Sequence, residues 1–181
     1  MVYTKEMDAK KTFETLNRAL KNQSLEREII ICGGAALISL GILTRQTLDV
    51  DVITPKIDPD FSAIADSLAK NLSLHSGWLN NGPESLAEDL PKGWEDRTSE
   101  VYRGSNLIVK SLGRKDLLFS KFYAACDRGD DIEDILLIKP NEQELAEAKA
   151  WVLEKDAAEI WPSIVEEMLA ELKKRIGHGS K

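Results

Sequence analysis

Hydrophobic and polar residues follow several rhythms along this chain, and each predicts a different element. From about Met7 to Lys21, Phe13, Leu16 and Leu20 recur at helical spacing, which predicts an amphipathic helix packed by one face. Glu28 to Cys32 is a β-rich run, Glu-Ile-Ile-Ile-Cys, and reads as a buried strand. Ala35 to Leu43 is apolar nearly throughout and predicts a buried helix. A second strand is expected from about Leu48 to Thr54, ended by Pro55, which lacks an N–H donor. Asp58-Pro59-Asp60 then reads as the cap of a helix from Phe61 to Leu72.

The second half continues the alternation. Ser73 to Glu100 is irregular, punctuated by Gly77, Asn80-Asn81-Gly82-Pro83, Pro91 and Gly93. Its tryptophans, Trp78 and Trp94, either pin these loops to the body or offer faces for base stacking. Asn106 to Leu112 predicts a third strand, and Leu117 to Cys126 a helix buried on nearly every side. Asn141 to Ile176 predicts two helices divided around Trp161-Pro162, with Ile164, Met168, Leu169 and Leu172 as a packing face. Gly177 to Lys181 is expected to fray. Helix and strand in alternation indicate an α/β core with a helical C-terminal part.

Composition narrows the class. A chain of 181 residues, 43% hydrophobic and 30% charged, is that of a soluble protein with a genuine core. No apolar run is long enough to span a membrane, and MVYTKEMDAKK has no apolar signal core, so the expected location is the cytoplasm. A net charge of −7 argues against a broad nucleic-acid surface. Arg97, Arg103, Lys110, Arg114 and Lys115 leave a local basic groove open, or else a solvated cluster. Cys32 and Cys126 lie in apolar runs and read as buried free thiols. With only His75 and His178 available, any metal is expected to be a hard, oxygen-ligated cation.

The candidate chemistry centres on Ile29 to Pro55. Asp49 and Asp51, two apart on the expected strand, share one face, so a common cation such as Mg²⁺ or Mn²⁺ is within reach of both. Adjacent carboxylates on an apolar strand repel unless a cation lies between them. Gly33 and Gly34 follow a strand and precede a helix, where the absent Cβ atoms let an anion approach the backbone. Glycines beside a carboxylate pair suit a metal-bound triphosphate. The spacing of a dinucleotide-binding Gly-x-Gly-x-x-Gly or of a P-loop is absent.

Gly33-Gly34, a helix, and then Asp49-Val50-Asp51-Val52 resemble the signature of the nucleotidyltransferase superfamily. Arg45-Gln46-Thr47-Leu48-Asp49 resembles a bacterial branch that includes AbiEii-type toxins of toxin-antitoxin systems. The resemblance implies a nucleotidyltransferase-like mixed sheet core with flanking helices over residues 1–140, and a helical C-terminal extension over 141–181. It also implies transfer of a nucleoside monophosphate from an NTP to an acceptor, which is an RNA end, a protein or a small molecule. In that reading Asp49 and Asp51 hold the metal, Gly33, Gly34 and Arg45 contact the nucleotide, and Lys121 contributes to catalysis. The alternative is a nucleotide-binding or regulatory module without turnover, with a partner protein in a toxin-antitoxin pair.

Two features bear on that choice. Superfamily members carry a third carboxylate on the strand corresponding to Asn106–Leu112, where this chain has Lys110, flanked by Glu100 and Asp116. Lys121 lies in an apolar helix and requires an anion, either a protein carboxylate such as Asp49 or Asp51 or a phosphate. The Lys121-Phe122-Tyr123-Ala124 and Asp127 to Ile135 stretches resemble motifs of the same branch. Asp130 with Glu133 also reads as a capping box, with Asp131 and Asp134 at the start of the following helix.

Overall fold

The computed structural model describes residues 8–83 and 85–178. Met7, and the last three residues of the expected frayed end, lie outside the described residues. The chain forms two compact units, Met1–Gly113 and Arg114–Lys181. The division expected at residue 140 corresponds to the loop between the second and third helices of the second unit.

The first unit is built on a mixed five-stranded sheet. Helix α1 (Ala9–Asn22) is capped by Asp8, whose carboxylate accepts the Lys11 N–H, and buries Phe13, Leu16 and Leu20 as their spacing requires. Strand β1 (Arg27–Cys32) leads into helix α2 (Gly33–Ser39), and strand β2 (Val50–Thr54) follows. Helix α3 (Pro59–Leu72) has Asp58 as its N-cap, as the sequence indicates. Strand β3 (Leu79–Asn80) and a short helix α4 (Leu86–Asp89) precede the hairpin of β4 (Ser99–Arg103) and β5 (Leu107–Ser111).

The strands lie in the order β3-β2-β1-β5-β4. β1 is antiparallel to β2 and parallel to β5, β2 is parallel to β3, and β4 is antiparallel to β5. Ile29, Ile31, Val50, Val52, Leu107 and Val109 are all buried on the three central strands. This register sets Asp51 directly between Cys32 on β1 and Asn80 on β3.

The second unit is helical, comprising α5 (Arg114–Arg128), α6 (Ile132–Ile138), α7 (Glu142–Leu153) and α8 (Trp161–His178). Asn141 caps α7 through a reciprocal box with Glu144. Trp161 donates its indole N–H to the Val152 carbonyl and ties α8 to α7. Val165, Leu169 and Leu172 form the buried face of α8. No helix among the described residues is long and apolar enough to cross a membrane.

Candidate functional site

The turn from β1 into α2 brings Gly33 against a carboxylate and Gly34 against a hydroxyl. Gly33 has φ +67°, in the left-handed region that only glycine enters without strain, and it is the first residue of α2. A Cβ placed on it would lie 2.5 Å from Asp51 Oδ2, so no other residue fits without displacing that carboxylate. A Cβ on Gly34 would lie 3.1 Å from the hydroxyl of Thr47. Thr47 is buried and donates that hydroxyl to Asp49 Oδ1 at 3.2 Å, which fixes the direction of the second carboxylate. Asp49 itself precedes the strand, which begins at Val50. Both aspartates are half-buried.

The far side of Asp51 is closed by the turn that follows β3. Asn80, its register partner, accepts the Gly82 N–H at Oδ1 over 2.6 Å. The position of a Cβ on Gly82 lies 2.8 Å from that amide oxygen and 4.0 Å from Asp51 Oδ1. The Asp51 carboxylate therefore sits with a glycine on each side. In the sequence, Asn80 and Gly82 read only as loop punctuation. The signal available there was Asn-Asn-Gly-Pro, which marks a turn and says nothing about which strand it borders.

Arg45 also belongs to the first unit. It is exposed in the loop between α2 and β2 and lines a cavity of about 380 Å³ with Lys10, Phe13, Ser39, Gln46 and Tyr102. Ile38 and Ser39 in that lining belong to the C-terminal end of α2, whereas Gly33 and Gly34 form its other end.

Lys121 lies on α5 of the second unit, and its anionic partners are protein carboxylates. Its ammonium is 2.7 Å from Asp131 Oδ1 and 2.8 Å from Asp134 Oδ2. Of the alternatives open from sequence, a protein ion pair is the one seen, and the acids are those two. Asp134 is 1% exposed and Lys121 8%, so the network is desolvated. Burial pushes the Lys121 ammonium down, but hydrogen bonds to Asp131 and Asp134 outweigh it and hold its pKa above the ordinary lysine value. Asp131 takes a left-handed backbone, φ +69°, as the N-cap residue of α6, yet makes no side-chain cap. The expected Asp130–Glu133 capping box is thus replaced by an N-cap whose carboxylate is committed to a buried cation, the stronger partner.

The strand expected to carry a third acid carries none. Lys110 on β5 is paired with Glu28, and Glu100 with Arg103. Asp116 is fully buried in α5. Among the described residues, no three His, Cys, Asp or Glu side chains converge on one metal position. The basic cluster of the sequence is absorbed locally: Arg114 pairs with Glu144, Lys115 with Glu147, and Arg97 donates to the carbonyls of Pro91 and Lys92. Trp78 and Trp94 are buried and donate their indole N–H groups to Ala65 and Ala87, so they pin loops and present no face for stacking. Cys32 and Cys126 are buried free thiols, and burial pushes Cys126 up to about 12.

A protein-family model described as "Nucleotidyltransferase of unknown function (DUF6036)" matches residues 9–155. No curated protein and no solved structure gives a significant match.

Proposed function

The chain belongs to this nucleotidyltransferase family, and from that premise we propose that it transfers a nucleoside monophosphate from an NTP to an acceptor in a reaction dependent on Mg²⁺ or Mn²⁺. The observation that carries the reading is the fit of Gly33 to Asp51: a carboxylate oxygen fills the space a Cβ would need, at the mouth of a strand-to-helix turn. The donor set of Asp49 and Asp51 suits a hard cation, and these two residues would hold it. When bound, such an ion offsets the charge of the triphosphate and of departing pyrophosphate.

The residues of the chain then have distinct tasks. Thr47 orients Asp49 through its hydroxyl. Gly33 and Gly34 leave the backbone of the turn bare, so that phosphate oxygens approach the amide groups. Arg45, exposed beside its cavity, would contact the nucleotide from the α2–β2 loop. Lys121 is proposed as a phosphate contact, in competition with its two carboxylates.

A second reading, a nucleotide-binding regulatory module that belongs to a toxin-antitoxin pair, is favoured by one observation: among the described residues no third acidic side chain converges with Asp49 and Asp51. Incubation with each α-labelled NTP, Mg²⁺ or Mn²⁺ and a fractionated cell extract decides between them. The transferase reading expects label in the RNA, protein or small-molecule fraction, lost when Asp49→Asn and Asp51→Asn are combined. Nucleotide binding without label in any fraction supports the regulatory module.

A further inference from the structure

A divalent ion held by two protein carboxylates alone is bound loosely, and hard cations complete their shells with neutral carbonyl oxygens, those of Asn and Gln among them. The strand that was expected to supply the third oxygen, β5, is on the wrong side of β1 to help and carries Lys110. The strand on the other side of β2 is β3, and the residue paired with Asp51 there is Asn80. Directly paired residues on adjacent strands project from the same face of a sheet.

The orientation of the Asn80 carboxamide is set by its surroundings. Gly82 N–H is a donor, so the atom that receives it at 2.6 Å is the amide oxygen, and the Nδ2 end turns to the Gly77 carbonyl at 3.4 Å. An amide oxygen accepts twice, which leaves one lone pair of Oδ1 available after Gly82 is satisfied. The Gly82 Cβ position, within 2.8 Å of Asn80 Oδ1 and 4.0 Å of Asp51 Oδ1, shows that both oxygens border the same small volume. A side chain at residue 82 would fill it.

We propose that Asn80 Oδ1 is the third protein oxygen of the metal position formed by Asp49 and Asp51, contributed by the neighbouring strand in place of a third carboxylate. The inference rests on the metal reading above and adds to it a ligand that no acidic motif would reveal. Gly82 has two tasks in this arrangement: its N–H aims the carboxamide, and its missing side chain keeps the volume open.

Binding of Mn²⁺ alone to the full chain, followed by the paramagnetic resonance signal of the free ion, tests it. Asn80→Ala is expected to raise the Mn²⁺ Kd about tenfold, and Asp51→Asn to abolish binding. Asn80→Cys is expected to weaken Mn²⁺ and to tighten Cd²⁺ relative to the wild type, because a thiolate prefers the softer ion. Three results would overturn the proposal. Wild-type Mn²⁺ affinity in both Asn80 variants, with loss in Asp51→Asn, removes Asn80 and leaves the aspartate site standing. Loss of Mn²⁺ in Asn80→Cys without a gain in Cd²⁺ assigns Asn80 to holding the turn alone. Unchanged binding in Asp51→Asn removes the metal reading and Asn80 with it.

Discussion

Lys121 shows what a single residue in this chain discloses and what it withholds. Its helix is apolar on nearly every side, so a buried cation in need of an anion was legible from the sequence alone. Which anion was not, because Asp131 and Asp134 lie beyond the end of α5, across Gly129 and a left-handed turn that no periodicity reports. Substitution of Lys121 by Met would leave Asp134, 1% exposed, without its cation. Removal of one partner of a buried ion pair costs about 3–5 kcal/mol. Urea denaturation of Lys121→Met is expected to show that loss, with most of it recovered when Asp131→Asn and Asp134→Asn are added. A solvated lysine would show neither effect. The pH dependence has a definite sign. Because the folded pKa is raised, the contribution of Lys121 is fully present below the unfolded lysine value of about 10.4 and is lost as pH rises through the folded one. In the background of the neutralised acids, Lys121→Met is further expected to weaken triphosphate binding more than monophosphate binding; equal weakening would count against a phosphate-chain contact.

At the scale of elements, the strands and helices with a strong apolar rhythm were legible, and two short or half-exposed strands were not. β3 has only two residues, and β4, Ser-Glu-Val-Tyr-Arg, has no buried residue. Neither produces a run that distinguishes strand from loop, yet β3 supplies the border of the candidate site. Helix α2 was expected to reach Leu43 and stops at Ser39, with Leu40 as its C-cap and Gly41 at φ +70°. A glycine there ends a helix in the left-handed conformation, a signal outweighed in the sequence by the apolar residues on both sides. The start of α3 is better encoded. Asp58 receives the Phe61 N–H and a two-pronged contact from Arg27 on β1, so one carboxylate both caps the helix and joins it to the sheet. Hydrogen bonding from Arg27 first, and from the Phe61 N–H second, holds its pKa below the usual aspartate value. Asp58→Ala is expected to cost roughly 1 kcal/mol at pH 7, the worth of a cap, with little added by the Arg27 pair because the Asp58 side chain is 40% exposed to screening solvent. The folded pKa is depressed, so this contribution is present above the unfolded value of about 3.9 and lost as pH falls through the folded one. Thermal melts at pH 7 and pH 3 check it: the gap between wild type and variant should narrow at the lower pH.

The whole molecule carries a net charge of −7, and this sets conditions on any nucleotide it binds. A triphosphate approaching an acidic protein is repelled at long range, and the basic stretch seen in the sequence does not offset this, being committed to Glu28, Glu100, Glu144, Glu147 and two carbonyl groups. Asp49 and Asp51 add two carboxylates of their own at the candidate site. On the proposed reading, binding of an NTP there is linked to a divalent cation, which offsets the negative field where the phosphates arrive. In thermal denaturation, NTP without metal is expected to leave the melting point unchanged, whereas NTP with Mg²⁺ raises it. The linkage gives the size: ligand at a hundred times its Kd stabilises the native state by about 2.7 kcal/mol. The doubly substituted Asp49→Asn, Asp51→Asn protein should lose the shift with Mg²⁺ and, being less negative, should not fall in basal stability through repulsion. A shift of equal size with NTP alone would mean that the nucleotide is held by cationic side chains, and would move the binding site away from the two aspartates.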